Sequence, residues 1–228
     1  MKPAAIVLDI EGTIAPISFV RDVLFPYARA HLVEFLSGHG TDPDVAAEIA
    51  AVQRLAPGID VAGALIGWMD QDLKLPPLKA IQGMIWRAGY DAGEIKGELY
   101  EDVAPCLRDW RNQGIALYIY SSGSVAAQQL LLAHTASGDL RPLIQGYFDT
   151  LMGPKREAVS YRAIAARIGA APGEILFLSD VEAELDTADA AGWRTVQVVR
   201  EADGTVASKR HQSSRTLAEL SLVKKTAP

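Results

Sequence analysis

Ala4–Pro16 reads AAIVLDIEGTIAP, an unbroken apolar run that ends on Asp9 and is followed at once by Glu11, Gly12 and Thr13. A continuous apolar run, unlike an alternating one, marks a strand covered on both faces, as in a parallel sheet. Four more short runs rich in Ile, Val, Leu and aromatics follow: IALYIY at 115–120, GYFDTL at 146–151, EILFLSD at 174–180 and TVQVV at 195–199. Segments of helical period separate them, at 124–134, 156–168 and 182–191, and Gly114, Gly169 and Gly192 stand where a helix should stop before the next strand. Strand and helix alternating at this spacing predict crossover units in an open α/β parallel sheet of Rossmann-like type.

The interval 15–100 breaks the alternation. It holds no convincing strand but has helical patterns at 20–37, 43–55, 60–72 and 77–89. AspProAsp at 42–44 has the form of an N-cap with proline in the first turn, and LeuProPro at 75–77 should end one helix and open another. An inserted helical cap domain over 15–100 is predicted, with 1–14 and 101–228 as the α/β core and a helix at 101–113 carrying the chain back. The polar tail from 201, with Lys209, Arg210, Lys224 and Lys225, is expected to be partly loose.

At 228 residues the chain exceeds the usual size of one core, in keeping with a large and a small domain. With 49% hydrophobic and 22% charged residues it has the composition of a globular protein, not a disordered one. A net charge of −6 argues against a general nucleic-acid binder and against docking on anionic lipid. Cys106 is the only cysteine, so no intrachain disulfide can form; it is expected to be a small buried hydrophobe. No signal peptide is apparent, and no apolar run approaches the ~18 residues of a membrane span. A cytoplasmic monomer without nucleic-acid or membrane partners is the expectation.

In open parallel sheets ligands bind beyond the carboxyl ends of the strands. After the first run come Asp9 and Glu11; after the second Ser121, Ser122 and Gly123; beyond the third GlyProLys with Lys155; after the fourth Ser179 and Asp180, with Glu184 a helical turn on. Acids, hydroxyls and a lysine thus converge on one edge. Each alone has a bland reading as a turn, a helix cap, a first-turn acid or a solvated charge. Together they suit phosphoryl transfer. Asp9 and Asp180 can hold a hard cation such as Mg²⁺, and Asp9 can attack phosphorus to form an aspartyl-phosphate. Glu11 can protonate the departing oxygen and then activate water. Ser121 or Ser122, with the N–H groups of Gly123 and Ser124, can cradle phosphate, and Lys155 can neutralise charge in the transition state.

Residues in this order resemble the haloacid dehalogenase superfamily of phosphatases, whose first motif, usually Asp-x-Asp-Gly-Thr, stands here as Asp9-Ile10-Glu11-Gly12-Thr13. Glutamate at the second acid is unusual there. The stretch DIEGTIAPISFVRDVLFPYA at 9–28 is similar to the acireductone-forming enolase-phosphatases of methionine salvage, where that glutamate is the norm. QGMIWRAGYDAGEIKGELYEDV at 82–103, YSSGSVAAQQLLLAHT at 120–135 and LSDVEAELDTADAAGW at 178–193 agree; the likeness thins over 38–75 and in the tail. The resemblance implies the substrate 2,3-diketo-5-methylthiopentyl 1-phosphate, enolised and then dephosphorylated to 1,2-dihydroxy-3-keto-5-methylthiopentene. It implies Asp9 as nucleophile and Mg²⁺ ligand, Glu11 as a ligand through its carbonyl with its carboxyl left for acid–base work, and Asp180 as the third ligand. Ser121 and Ser122 would bind substrate, Lys155 would hold phosphate and nucleophile together, and Glu184 would orient a metal-bound water. Ile14 stands where the family often has a second threonine.

The extra methylene of Glu11 extends its carboxyl by about 1.5 Å, a reach that would let one acid serve proton transfers at both the carbon skeleton and the ester oxygen. The helical insertion would act as a lid reading the methylthio end, with Phe19, Phe25, Tyr27, Met84, Trp86 and Tyr90 as candidate contacts, most of them expected to be core. His31, His39, His134 and His211 show no metal-ligand spacing and are expected in packing or surface roles. The alternatives are a general phosphomonoesterase, a phosphomutase on the same aspartyl-phosphate, a dehalogenase and a catalytically silent binding module.

Overall fold

The computed structural model describes residues 2–220. Six strands, β1 (Ala5–Leu8), β2 (Ala116–Tyr120), β3 (Gly146–Phe148), β4 (Ile175–Ser179), β5 (Arg194–Val198) and β6 (Ser213–Ser214), form one sheet in the order β3-β2-β1-β4-β5-β6. Every neighbouring pair is parallel, so the chain is an open α/β sheet of the expected class. The near-continuous apolar runs occupy the centre: all four residues of β1 and all five of β4 are buried. Strand order reverses at β1, where the chain turns from one side of the sheet to the other. Leu8 lies level with Ile119 of β2 and Leu178 of β4, so the carboxyl ends of these strands meet at the switch point where such sheets take ligands.

Contacts divide the chain into two compact units, residues 1–17 with 97–228, and Ser18–Lys96. The expected boundaries at 14 and 101 shift because short ties hold both crossings to the sheet unit. Glu11 bridges Ala15, Tyr100 N–H donates to the Ile14 carbonyl (3.1 Å), and Gly97 bridges Thr135. The sheet unit carries α5 (Val103–Asn112), α6 (Val125–Ala133), α7 (Ala158–Ile168) and α8 (Glu182–Ala190). Gly114, Gly169 and Gly192 all take left-handed backbone angles at the stops read from the sequence.

The helical unit holds α1 (Phe25–His39), α2 (Pro43–Leu55), α3 (Val61–Asp70) and α4 (Pro76–Asp91) around Leu32, Val52, Leu65, Leu78, Ile81 and Ile85. One feature differs from the sequence reading: Phe19–Leu24 is a π-helical turn that runs directly into α1. Pro26 has no N–H to give an i→i−4 bond, so the junction is where the hydrogen-bond register can change. Asp42 begins α2 as expected, but its carboxylate turns back to His39 Nδ1 (2.9 Å) and makes no cap bond. Within this unit Phe19 and Tyr90 are buried, Tyr27 stacks on His31 and donates to Glu94 (2.6 Å), and Trp86 donates to the Leu24 carbonyl (2.7 Å). Phe25 is exposed and packs one side on Trp86, and Met84 is half-buried.

The tail is more ordered than its composition suggested. β6 adds to the sheet edge, Arg210 pairs with Glu182 and Asp186, and the imidazole of His211 lies between Thr195 and Asp186. Two serines are too short and polar a strand to show in a sequence. Lys209 is exposed, and Lys224 and Lys225 lie outside the described residues. Among the described residues no helix is long and apolar enough to cross a membrane.

Candidate active site

Beyond Leu8 the chain leaves β1 and closes on itself. The carbonyl of Ile10 accepts from the N–H groups of Thr13, Ile14 and Ala15 (3.1, 2.9 and 2.9 Å), which curls 10–15 into a tight turn. Gly12 makes that turn with φ +71°, and a Cβ there would lie 2.5 Å from Asp180 Oδ2. Glycine is required twice, for the backbone angle and for the approach of the carboxylate. Ile14 is wholly buried behind the turn.

Asp9 is 3% exposed. Its Oδ1 accepts from Ile10 N–H (2.8 Å) and meets Lys155 Nζ at 2.6 Å, while Oδ2 accepts from Ser179 Oγ (3.3 Å). Lys155 arrives from the β3–α7 loop, 8% exposed, and also meets Glu184 Oε2 at 2.6 Å. Burial alone would lower the Lys155 pKa, but Asp9 and Glu184 together more than offset that, and the ammonium is held charged. Ser179 Oγ also lies 3.2 Å from Glu184 Oε2, so its one hydroxyl proton is shared between the two acids that flank Lys155. Lys155 lies within 5.7 Å of the centre of the Tyr120 ring and 6.0 Å of that of Phe177, which adds cation–π attraction to the ion pairs.

Glu11 projects toward β2, where Ser121 Oγ donates to its Oε2 (3.0 Å). Ser121 is fully buried and accepts in turn from Gly123 N–H (3.1 Å). Two of the expected phosphate donors are therefore engaged in this arrangement, the Ser121 hydroxyl on Glu11 and the Gly123 N–H on Ser121 Oγ; Ser122 is exposed on the same loop. Ser124 caps α6 by accepting from Ala127 N–H (3.3 Å). At β4 the backbone N–H of Asp180 donates to Thr13 Oγ1 (3.0 Å), tying the fourth strand's acid to the first motif.

Four carboxylates, of Asp9, Glu11, Asp180 and Glu184, thus share a single buried ammonium. Burial first, and the charge of Asp9 second, raise the pKa of Glu11, and they lift Asp180 and Glu184 to about 7. Uncompensated negative charge of this kind fits a hard dication. No three His, Cys, Asp or Glu side chains among the described residues form a ready-made cage. The fit is to a hard cation such as Mg²⁺, which takes few carboxylates and fills the rest of its shell with water and substrate phosphate.

Several supporting groups gave no signal in the strand-end pattern. Three consecutive carbonyls of the loop that presents Lys155 are held by side chains: Gly153 by Tyr120 Oη (2.9 Å), Pro154 by Ser160 Oγ (2.8 Å) and Lys155 by Tyr161 Oη (2.8 Å). Tyr161 stands among Tyr120, Phe177 and Trp193 in edge-to-face contacts of 5.2–5.6 Å, each of about 0.5–1.5 kcal/mol beyond burial. Tyr120 and Tyr161 read as core aromatics, and only their hydroxyls distinguish them. Arg200 follows β5, and the rule applied to four strands would have reached it on the fifth. Cys106 is half-buried with a pKa raised by burial and by Asp102 and Asp109, which leaves it unreactive.

The model of the haloacid dehalogenase-like hydrolases matches residues 3–192. "Enolase-phosphatase E1" of Acidiphilium cryptum is 52% identical over 217 residues, covering 95% of this chain and 94% of that protein. The protein of the same name from Gluconacetobacter diazotrophicus is 50% identical over 216 residues, covering 95% and 92%. Among solved structures, the UTR4 protein of Saccharomyces cerevisiae superposes with a TM-score of 0.82 at 33% identity, over 96% of this chain and all of that one (100%). CbbY of Rhodobacter sphaeroides, in complex with phosphate, shares the fold with a TM-score of 0.64 at 16% identity, over 96% of each chain.

Proposed function

The chain belongs to the haloacid dehalogenase-like hydrolases, and on that premise we propose that it is an enolase-phosphatase of methionine salvage. It converts 2,3-diketo-5-methylthiopentyl 1-phosphate to 1,2-dihydroxy-3-keto-5-methylthiopentene and phosphate. The observation that carries this is Glu11, a half-buried second acid one methylene longer than the family's usual aspartate and hydrogen-bonded to Ser121 at the end of β2.

Asp9 attacks the phosphorus and forms an aspartyl-phosphate, with Lys155 and Ser179 fixing the carboxylate's orientation before attack. Glu11, whose pKa is raised by desolvation and by the charge of Asp9, gives a proton to the ester oxygen as the phosphorus–oxygen bond breaks. It then takes a proton from the water that attacks the aspartyl-phosphate, which regenerates Asp9 and releases phosphate. The added length of Glu11 would let the same carboxyl also serve a proton transfer at the carbon skeleton in the preceding enolisation. Asp9, Asp180 and the carbonyl of Glu11 would hold Mg²⁺, which supplies charge neutralisation at the transferring phosphoryl oxygens. Lys155 adds to that neutralisation and is anchored by Glu184. Ser121 and Ser122 bind substrate, Ser121 exchanging its bond to Glu11 for one to phosphate. The enzyme works as a monomer in the cytoplasm, in keeping with a single cysteine.

The test is to supply the diketo phosphate with Mg²⁺ and follow enol absorbance and free phosphate together, against p-nitrophenyl phosphate and an Asp9→Asn control. Enol formation followed by phosphate release, far faster than on the generic ester and lost in the control, is the expected result. Hydrolysis of the generic ester alone would reduce the reading to a general phosphomonoesterase.

A further inference from the structure

Among the described residues, Arg200 is the buried cation besides Lys155, 6% exposed, and nothing in the chemistry above uses it. Its guanidinium is engaged on every side. Nε and Nη2 both donate to the carbonyl of Thr13, at 3.1 and 2.9 Å. Nη1 donates to Asp102 Oδ2 (3.1 Å) and to the Arg215 carbonyl (3.4 Å), and the plane lies 4.0 Å over the Tyr100 ring. Asp102 is fixed in turn by Leu217 N–H (2.6 Å), and Tyr100 donates to Asp203, which also accepts from Ile17 N–H (3.0 Å).

A two-bond fork on one main-chain carbonyl is a costly use of a buried charge unless that carbonyl must not move. Thr13 is the residue for which this holds. Its N–H closes the turn of the first motif onto Ile10, its Oγ1 accepts from Asp180 N–H and lies 3.4 Å from Asp180 Oδ1, and Gly12 before it stands against Asp180. Movement of the Thr13 carbonyl therefore carries both acids proposed as Mg²⁺ ligands. We infer that Arg200 is a positioning residue for the phosphoryl-transfer site: its fork on the Thr13 carbonyl fixes the Asp9–Thr13 turn against Asp180, with Asp102 and Tyr100 holding the fork in plane. The inference rests on the proposed phosphatase reading of that site. Lysine is a poor substitute, since one ammonium cannot repeat the planar two-donor geometry over a tyrosine ring.

The test compares Arg200→Lys and Arg200→Met with the parent, reading Mg²⁺ affinity by calorimetry on the substrate-free protein and phosphate release from p-nitrophenyl phosphate. Groups that orient metal ligands are worth about 10–100-fold in metal affinity or activity. Arg200→Lys, folded by circular dichroism, should bind Mg²⁺ about tenfold more weakly and lose about tenfold or more in kcat, with KM within about threefold; Arg200→Met should lose more. Folded variants with Mg²⁺ affinity and kcat within about twofold of the parent and only a lowered melting temperature would make Arg200 a packing residue and overturn the inference. Should neither variant fold, Asp102→Asn keeps the arginine and removes its charged brace; weaker Mg²⁺ binding is expected, and an unchanged affinity overturns the inference. Calorimetry and the generic ester need no diketo substrate. A parent that binds Mg²⁺ and cleaves the ester but not the diketo phosphate would therefore refute the proposed substrate while leaving Arg200's role tested.

Discussion

Replacing Lys155 by methionine keeps the length of the side chain and removes its charge. Two carboxylates, Asp9 and Glu184, each lose an ammonium at 2.6 Å, in a site where the lysine is only 8% exposed. Breaking a buried pair by deleting one partner costs about 3–5 kcal/mol, because the remaining charge is left unpaired. The acids can escape part of that cost by binding a proton, so the variant's native state holds more protons than the parent's. The loss of stability must then grow with pH, by at most about 1.4 kcal/mol per unit for each extra proton. About 3 kcal/mol is expected at pH 8 and about 1 kcal/mol near pH 5.5. Urea unfolding of the metal-free proteins at both pH values measures it, as a shift in midpoint at constant slope. The same variant should lose about 10²–10³-fold in kcat for phosphate release. A loss below about 1 kcal/mol at pH 8, or an equal loss at both pH values, would refute the description of Lys155 as the buried counter-charge of the site.

Glu11→Asp shortens the acid by about 1.5 Å and withdraws it from Ser121; both enolisation and phosphate release should fall by about 10²-fold, and undiminished rates would sink the assignment of Glu11 to both steps. Gly12→Ala should destabilise the protein by about 1–2 kcal/mol through its left-handed backbone and lower kcat by displacing Asp180; an alanine variant of parental kcat would contradict the close approach of that carboxylate. Asp180 and Glu184 have folded pKa values lifted to about 7 from 3.8 and 4.5, so the native state binds those protons more tightly than the unfolded chain. Stability of the metal-free protein should therefore fall as pH rises from about 4 to about 7, and Mg²⁺ should flatten that slope; melting curves with EDTA and with Mg²⁺ decide it, and a slope of opposite sign would show these acids to be stabilised as anions.

The strand ends carried most of what could be read beforehand. Asp9, Asp180 and Lys155 each follow an apolar run, and parallel strands of equal register bring such positions together without further information. Glu11 was legible because its type departs from the usual motif. Groups that act through a single hydroxyl or main-chain carbonyl were not legible. Tyr120 and Tyr161 have the pattern of core residues, and nothing local tells that their hydroxyls hold the Lys155 loop. Arg200 and Asp102 are 98 positions apart, and their pairing exists only once the sheet has formed. The two-serine β6 and the π-helical turn at Phe19–Leu24 escaped for a similar reason, since tertiary pairing and Pro26, not periodicity, define them.

Everything turns on Asp9 as the atom donor to phosphorus. Rapid reduction with borohydride during turnover of the diketo phosphate converts an aspartyl-phosphate to homoserine, which peptide mass spectrometry locates. Homoserine at position 9, dependent on Mg²⁺ and on substrate, is the predicted result. Enol and phosphate formed at full rate with Asp9 unmodified, or with the label on another carboxylate, would contradict it.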